Sequence, residues 1–206
     1  MGFVGMLEGG KVMAQDSAVR VGGGLVSAFP AVVEGQKMTA RDVLNDKTDA
    51  RYELDAGVVR MMSRATTEHQ RMIKRLLLQM DPFFAGKKCE VHIDVGVFLF
   101  PAPDWSDGEY VKPDLLVLCD PGKDQEGVIR GAPDLVVEVL SPSTSKYDMN
   151  GKKSKYRRAG VREYWVVDGS RFIKYLFNEQ FECGEEVELL GNEVESTIFP
   201  GLKVTI

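Results

Sequence analysis

Cysteine is scarce: Cys89, Cys119 and Cys183 are the whole complement. They form no metal-ligand spacing and no obvious disulfide framework, which argues against a structural zinc site and a disulfide-stapled scaffold. Cys89 and Cys119 lie in or beside apolar strand-like runs, so buried free thiols in a cytoplasmic protein are expected. Long apolar runs are missing as well. No stretch approaches the roughly 18 residues of a membrane span, and no membrane association is expected. Met1 to Gly10 carries acid before base and has no long apolar core, unlike a signal peptide. An excess of positive charge is also absent. The net charge is -5, so the total does not advertise a nucleic-acid binder, although contacts depend on where charge sits. Gly22, Gly23 and Gly24 are followed by no Gly-Lys-Ser/Thr, so they are not a phosphate loop. There is no internal repeat.

What is present is an ordinary folding composition. Apolar residues make up 44% of 206 residues, enough for one domain with a sizeable core. Residues 1–37 are Gly-rich and weakly periodic, and are expected to form a flexible or extended arm; a strand that clasps a second copy is one use for it. Folding signals run over 38–206. Thr39 with Asp42 is a weak capping box for a short helix over about 39–46. Tyr52 to Leu54 and Val58 to Met62 read as a hairpin around Asp55-Ala56-Gly57, with Gly57 able to take a positive φ. Ile73, Leu76, Leu77 and Met80 give Thr67 to Met80 one apolar helical face, and Pro82 is expected to end it. Val91 to Leu99 alternates with period two and predicts a single strand. Leu115 to Cys119 and Leu135 to Leu140 are short apolar runs that suit central strands, with Pro142 ending the second. Lys152 to Ala159 reads as a helix stopped by Gly160. Tyr164 to Val167 and Phe172 to Phe177 read as strands. From Glu179 to Glu195 there are seven glutamates and no Lys or Arg, consistent with a solvated hairpin and a last strand. The order predicts an α/β fold: a mixed central sheet flanked by helices, with an added N-terminal hairpin and C-terminal strands.

Three residues carry most of the chemistry. Asp114 follows Pro113 and stands immediately before an apolar strand. Glu138 lies inside Asp134-Leu-Val-Val-Glu-Val-Leu140, where a carboxylate is costly unless paired, protonated or metal-bound. Two carboxylates on adjacent strands suit a hard cation that keeps several waters. Residues 146–162 then hold seven cations against one acid, Asp148. That local excess can form a backbone-phosphate footprint, and on a helix Lys152, Lys155, Tyr156 and Ala159 share one side. A solvated helix face explains the same run equally well.

Tyr52-Glu53-Leu54-Asp55-Ala56-Gly57, His69-Gln70, Lys112-Pro113-Asp114-Leu115, Ala132 through Thr144 and Gly160 through Asp168 resemble the Uma-type restriction endonuclease family. That family lies within the restriction-endonuclease-like PD-(D/E)XK nuclease superfamily. The resemblance covers about residues 38–206. It implies that Asp114 is the first acid of the site and Glu138 the second. The superfamily lysine usually stands two places after the second acid, where this chain has Leu140. The resemblance implies that the lysine has moved to the following helix as Lys152. It also brings Glu53 to the metal site, and His69 and Gln70 to the same cleft.

The reading that follows is a metal-dependent endonuclease hydrolysing phosphodiester bonds in DNA. The resemblance implies a 5′-phosphate product. Asp114, Glu138, Glu53 and the backbone carbonyl of Val139 would hold Mg²⁺ or Mn²⁺. Lys152 would orient or activate water. Lys153, Lys155, Arg157 and Arg158 would meet the nucleic-acid backbone, and Tyr156 would face the cleft. RNA is the alternative substrate, and a homodimer the assembly that superfamily enzymes often adopt. Two other classes compete: a catalytically inactive nuclease-fold protein that binds nucleic acid or regulates, and a structural or toxin–antitoxin-like oligomeric partner.

Overall fold

A computed structural model describes residues 31–140, 146–177 and 185–206, with only the backbone at 146–149 and 185–187, and the backbone of Val19–Val21 and Gly24–Val26. In chain order the elements are β1 (Val19–Val21), β2 (Gly24–Val26), α1 (Ala40–Asn45), β3 (Tyr52–Asp55), β4 (Val58–Met61), α2 (Thr67–Phe84), β5 (Glu90–Ile93), β6 (Val97–Phe98), β7 (Tyr110–Val111) and β8 (Leu115–Leu118). There follow β9 (Asp124–Gln125), β10 (Val128–Arg130), β11 (Leu135–Val139), α3 (Lys146–Ala159), β12 (Glu163–Asp168), β13 (Arg171–Phe177), β14 (Glu185–Leu189), β15 (Glu193–Glu195) and β16 (Lys203–Thr205).

The main sheet runs β14-β13-β12-β11-β8-β5, and only β11 and β12 are parallel within it. A second sheet runs β4-β3-β7-β6-β10-β9. This is the expected α/β architecture with a mixed central sheet, helices, a hairpin and extra C-terminal strands. Alternation along β11 divides the core. Leu135, Val137 and Val139 pack with Ile73, Leu76, Met80 and Phe84 of α2. Val136 faces the other way, with Tyr156 of α3 and Tyr164 and Val166 of β12. Glu138 shares that second side, because successive strand residues alternate faces.

Several expectations on the elements are corrected. Pro82 does not end α2; it sits inside the last turn, and the helix continues to Phe84. Proline removes one backbone donor, but Phe84 stacks edge-on against Phe199 with centroids 5.0 Å apart, and that packing holds the final turn. Val91 to Leu99 is not one strand. The chain leaves β5, takes φ +51° at Asp94, and enters β6 in the other sheet. Its alternation serves two cores: Val97 joins the cluster around Val136, and Phe98 joins the one around Leu54 and Tyr110. Gly96 at the crossing has no room for a Cβ, which would collide with the Tyr110 ring. The helix expected over 152–159 begins earlier, at Lys146. Thr39 and Asp42 make both halves of the capping box, so aspartate suffices where glutamate is usual. Pro142 and residues 178–184 lie outside the described residues, as does most of the 1–37 arm. Lys37 bridges to Val58 of β4.

The cysteine expectation is also overturned, since Cys89 and Cys119 are joined in a disulfide. The antiparallel ladder pairs Glu90 with Leu118, so the next residues outward are Cys89 and Cys119, facing each other across β5 and β8. Free thiols therefore cannot support a reducing compartment. No helix among the described residues is long and apolar enough to cross a membrane.

A buried clamp fastens the C-terminal strands. Glu163 is fully buried and accepts from Trp165 Nε1 at 2.6 Å, Ser196 Oγ at 3.1 Å, and the amides of Thr197 and Ile198 at 3.0 Å each. Four donors satisfy a carboxylate that would otherwise be costly to bury.

Candidate active site

The ladder between β8 and β11 brings the two acids together. Val137 pairs with Leu115, and one residue further the antiparallel register sets Asp114 opposite Glu138. Directly opposed residues of antiparallel strands point to the same face. Asp114 is locked there by the amide of Val139, which donates to its Oδ2 at 2.8 Å.

Helix α2 supplies the next group. Thr66 caps it by accepting from the His69 amide, which fixes His69 in the first turn. His69 Nε2 lies 3.2 Å from Asp114 Oδ2 and 3.0 Å from Val139 O. One carboxylate oxygen and one backbone carbonyl thus converge on a single nitrogen. The hydrogen bond to Asp114 raises the His69 pKa above its ordinary value, against the opposing effect of burial. His69 Nδ1 is buried and has no hydrogen-bond partner among the described residues.

Helix α3 supplies the cation. Lys152 Nζ is 2.8 Å from Glu53 Oε1 and 3.0 Å from Glu138 Oε1. Glu53 comes from the β3–β4 hairpin, and its Oε1 also accepts from the Lys112 amide at 2.9 Å. One turn beyond Lys152, Tyr156 donates its hydroxyl to Glu138 Oε1 at 2.7 Å. Burial pushes the Glu138 carboxyl up to about 7; Lys152 opposes this, and the negative charges of Asp114 and Glu53 add to it. Burial also works against the charged Lys152 ammonium, but Glu138 and Glu53 outweigh it and hold its pKa above the usual lysine value. Burial keeps Tyr156 and Tyr164 protonated far above the ordinary phenol range.

These groups line one cleft of about 970 Å³. Asp114, Glu138, Val139, Glu53, Lys152 and His69 all contribute to it. Gln70 is exposed and stands outside it. Tyr156 reaches the cleft only through Glu138. Of the expected backbone contacts, Lys155 lines the cleft, with its ammonium 2.8 Å from both Asp55 and Glu109. Lys153 lies over the Tyr175 ring and Arg158 over Phe100, each at 5.1 Å. Arg157 is exposed on α3. Asp94 is held by Arg51 in a two-pronged pair at 2.9 and 2.8 Å.

Sequence reasoning gave no place in the cleft to Arg51, Arg60, Met61, Met62 and Arg64, which line it from the hairpin and the loop after it. They carry no motif. They reach the site because β3 pairs with β7, a long-range contact that local spacing does not reveal. Tyr164 is the other addition. Its hydroxyl is buried in the cleft wall and has no hydrogen-bond partner among the described residues.

Among the described residues no group of three or more His, Cys, Asp or Glu side chains is arranged as a metal cluster. The donors present fit a more open site. Asp114, Glu138 and the Val139 carbonyl are all oxygen donors, and Mg²⁺ is commonly held by one or two carboxylates with water completing its shell. Asp114 Oδ2 and Val139 O already converge on His69 Nε2, a nitrogen whose raised pKa favours its cationic form.

Residues 37–206 match the family model Uma2, described as "Putative restriction endonuclease". An uncharacterized protein of Synechocystis, slr1290, is 31% identical over 125 residues, covering 60% of this chain and 63% of that protein. The match therefore spans less than two thirds of that relative's length. A crystal structure of a putative nuclease belonging to DUF820 from Anabaena variabilis superposes with a TM-score of 0.61 at 17% identity, over 79% of this chain and 90% of that one. At that identity the likeness concerns the fold.

Proposed function

The chain belongs to the Uma2 family, and from that premise we propose that it is a divalent-metal-dependent endonuclease hydrolysing phosphodiester bonds in DNA. One observation carries the reading: Asp114 and Glu138 meet on one face of neighbouring strands, and Lys152 reaches Glu138 at 3.0 Å from the following helix. Asp114, Glu138 and the Val139 carbonyl would hold Mg²⁺ or Mn²⁺, with Glu53 beside them. A cation there supplies Lewis-acid polarisation of the phosphate and makes water easier to deprotonate.

The chain's own groups then have separate tasks. His69 and the Val139 amide fix the Asp114 carboxylate. Tyr156 holds Glu138 through Oε1. Lys152 stays charged, offsets negative charge growing on the phosphate and orients the attacking water. Water adds to phosphorus, the P–O3′ bond breaks, and the 3′ oxygen leaves with a proton, giving a 5′-phosphate. Lys153, Arg157 and Arg158 would meet backbone phosphates beside the site, whereas Lys155, expected to join them, is engaged by Asp55 and Glu109.

Supercoiled plasmid incubated with the purified protein tests this. Nicking is expected with Mg²⁺ or Mn²⁺, and loss of nicking in EDTA. D114A, E138A and K152A should each lose activity at a temperature where circular dichroism shows them folded. Wild-type-like cleavage by all three would reject the assignment. Tight DNA binding with no turnover across metals would support a nuclease-fold binding protein instead.

A further inference from the structure

We propose that the cleft wall Arg60–Ala65 receives the DNA strand, with Arg64 gripping a backbone phosphate. This rests on the nuclease reading above and adds a substrate-binding residue to it.

Charge pairing in the cleft singles out Arg64. Among the described residues five Lys or Arg line it: Arg51, Arg60, Arg64, Lys152 and Lys155. Arg51 is engaged by Asp94 at 2.8 Å, Arg60 by Glu34 at 3.2 Å, Lys152 by Glu53 at 2.8 Å, and Lys155 by Asp55 at 2.8 Å. Among the described residues Arg64 has no carboxylate within ion-pair distance, and it is exposed. Its guanidinium keeps its full fork of donors for something from outside. The planar fork matches phosphate oxygens two at a time.

The position is as informative as the charge. Six consecutive residues, 60–65, line the cleft. They run from the last two residues of β4 through the connection into α2, whose first turn sets His69 against Asp114 and Val139 O. Five residues of chain reach at most about 18 Å. At about 3.4 Å of helix axis per nucleotide of one strand, the Arg64 backbone stands within about five nucleotide rises of the His69 backbone. The wall offers Arg64, Ser63 and the exposed Met61 but no aromatic side chain, so it suits grip on the backbone rather than reading of bases.

Fluorescence anisotropy with a labelled DNA duplex in EDTA, titrated over a range of NaCl, tests this without turnover. R64A is expected to weaken binding roughly tenfold and to reduce the slope of log K against log salt by about 0.9. R64E should weaken it further. K88A serves as control, because Lys88 is exposed but outside the cleft, and should match wild type. If R64A binds with wild-type affinity and slope, the inference falls and the nuclease reading stands. An equal loss in K88A would reduce the effect to net charge and overturn the inference too. If wild-type protein neither binds DNA in this assay nor nicks plasmid with Mg²⁺ or Mn²⁺, both fall together.

Discussion

Lys152 Nζ lies 3.0 Å from Glu138 Oε1, although the two residues belong to different elements and stand fourteen positions apart. The same ammonium reaches Glu53 of the hairpin at 2.8 Å, so one cation neutralises acids from two sheets. Removing it leaves two poorly solvated carboxylates together. K152M should lose about 3–5 kcal/mol of stability. Urea unfolding checks this, and adding E138Q to K152M should restore about 1 kcal/mol or more. An unchanged midpoint in K152M would show that the pair contributes nothing.

His69 should titrate above its ordinary value of 6.5 in metal-free protein, chiefly through its hydrogen bond to Asp114. Because the folded-state pKa is raised, the contact contributes stability that is full below pH 6.5 and lost as pH rises through the raised value. Nitrogen-15 NMR titration of the imidazole follows this. D114N should move the His69 pKa down and remove that part of the pH dependence. An unshifted His69 in D114N would separate the two groups.

The buried Glu163 clamp holds the C-terminal residues onto the main sheet. E163A leaves the Trp165, Ser196, Thr197 and Ile198 donors buried without a partner, and should cost about 3 kcal/mol or more. Limited proteolysis should then cut first near residues 190–206. A cut pattern like wild type would place the stability of that region elsewhere.

Joining Cys89 to Cys119 closes a loop with a sequence separation of 30. Chain entropy alone assigns such a loop about 3–4 kcal/mol. C89S/C119S should therefore unfold at lower urea than oxidised wild type, and at about the same urea as wild type under reductant. Equal midpoints for oxidised and reduced wild type would remove the bridge from the stability of the fold.

Much of the framework was legible because it is written in local periodicity. The apolar stripe of α2 and the short runs of β8 and β11 appear where the pattern predicts them. The acid–acid–lysine set was legible for a different reason: a carboxylate at position 138, between valines, needs a special partner. What stayed hidden depends on long-range pairing. Cys89 and Cys119 meet only because β5 and β8 pair in one register. Val91 to Leu99 reads as one strand because its apolar residues alternate in sequence, though Val91 packs on the core under α2, Val97 and Leu99 on the core around Tyr156, and Ile93 stays exposed. Arg64 belongs to no motif and enters the cleft only when β3 pairs with β7. Glu163 looks like a surface acid until Ser196, Thr197 and Ile198 fold back onto it.

The central claim is that Asp114, Glu138 and the Val139 carbonyl share one divalent cation. Anomalous diffraction from crystals soaked in Mn²⁺ tests it most directly. The account predicts a peak in contact with oxygens of both carboxylates, next to His69 and Lys152, and its loss in crystals of D114N. Manganese bound elsewhere with this pocket bare, or a peak unchanged in D114N, would contradict it.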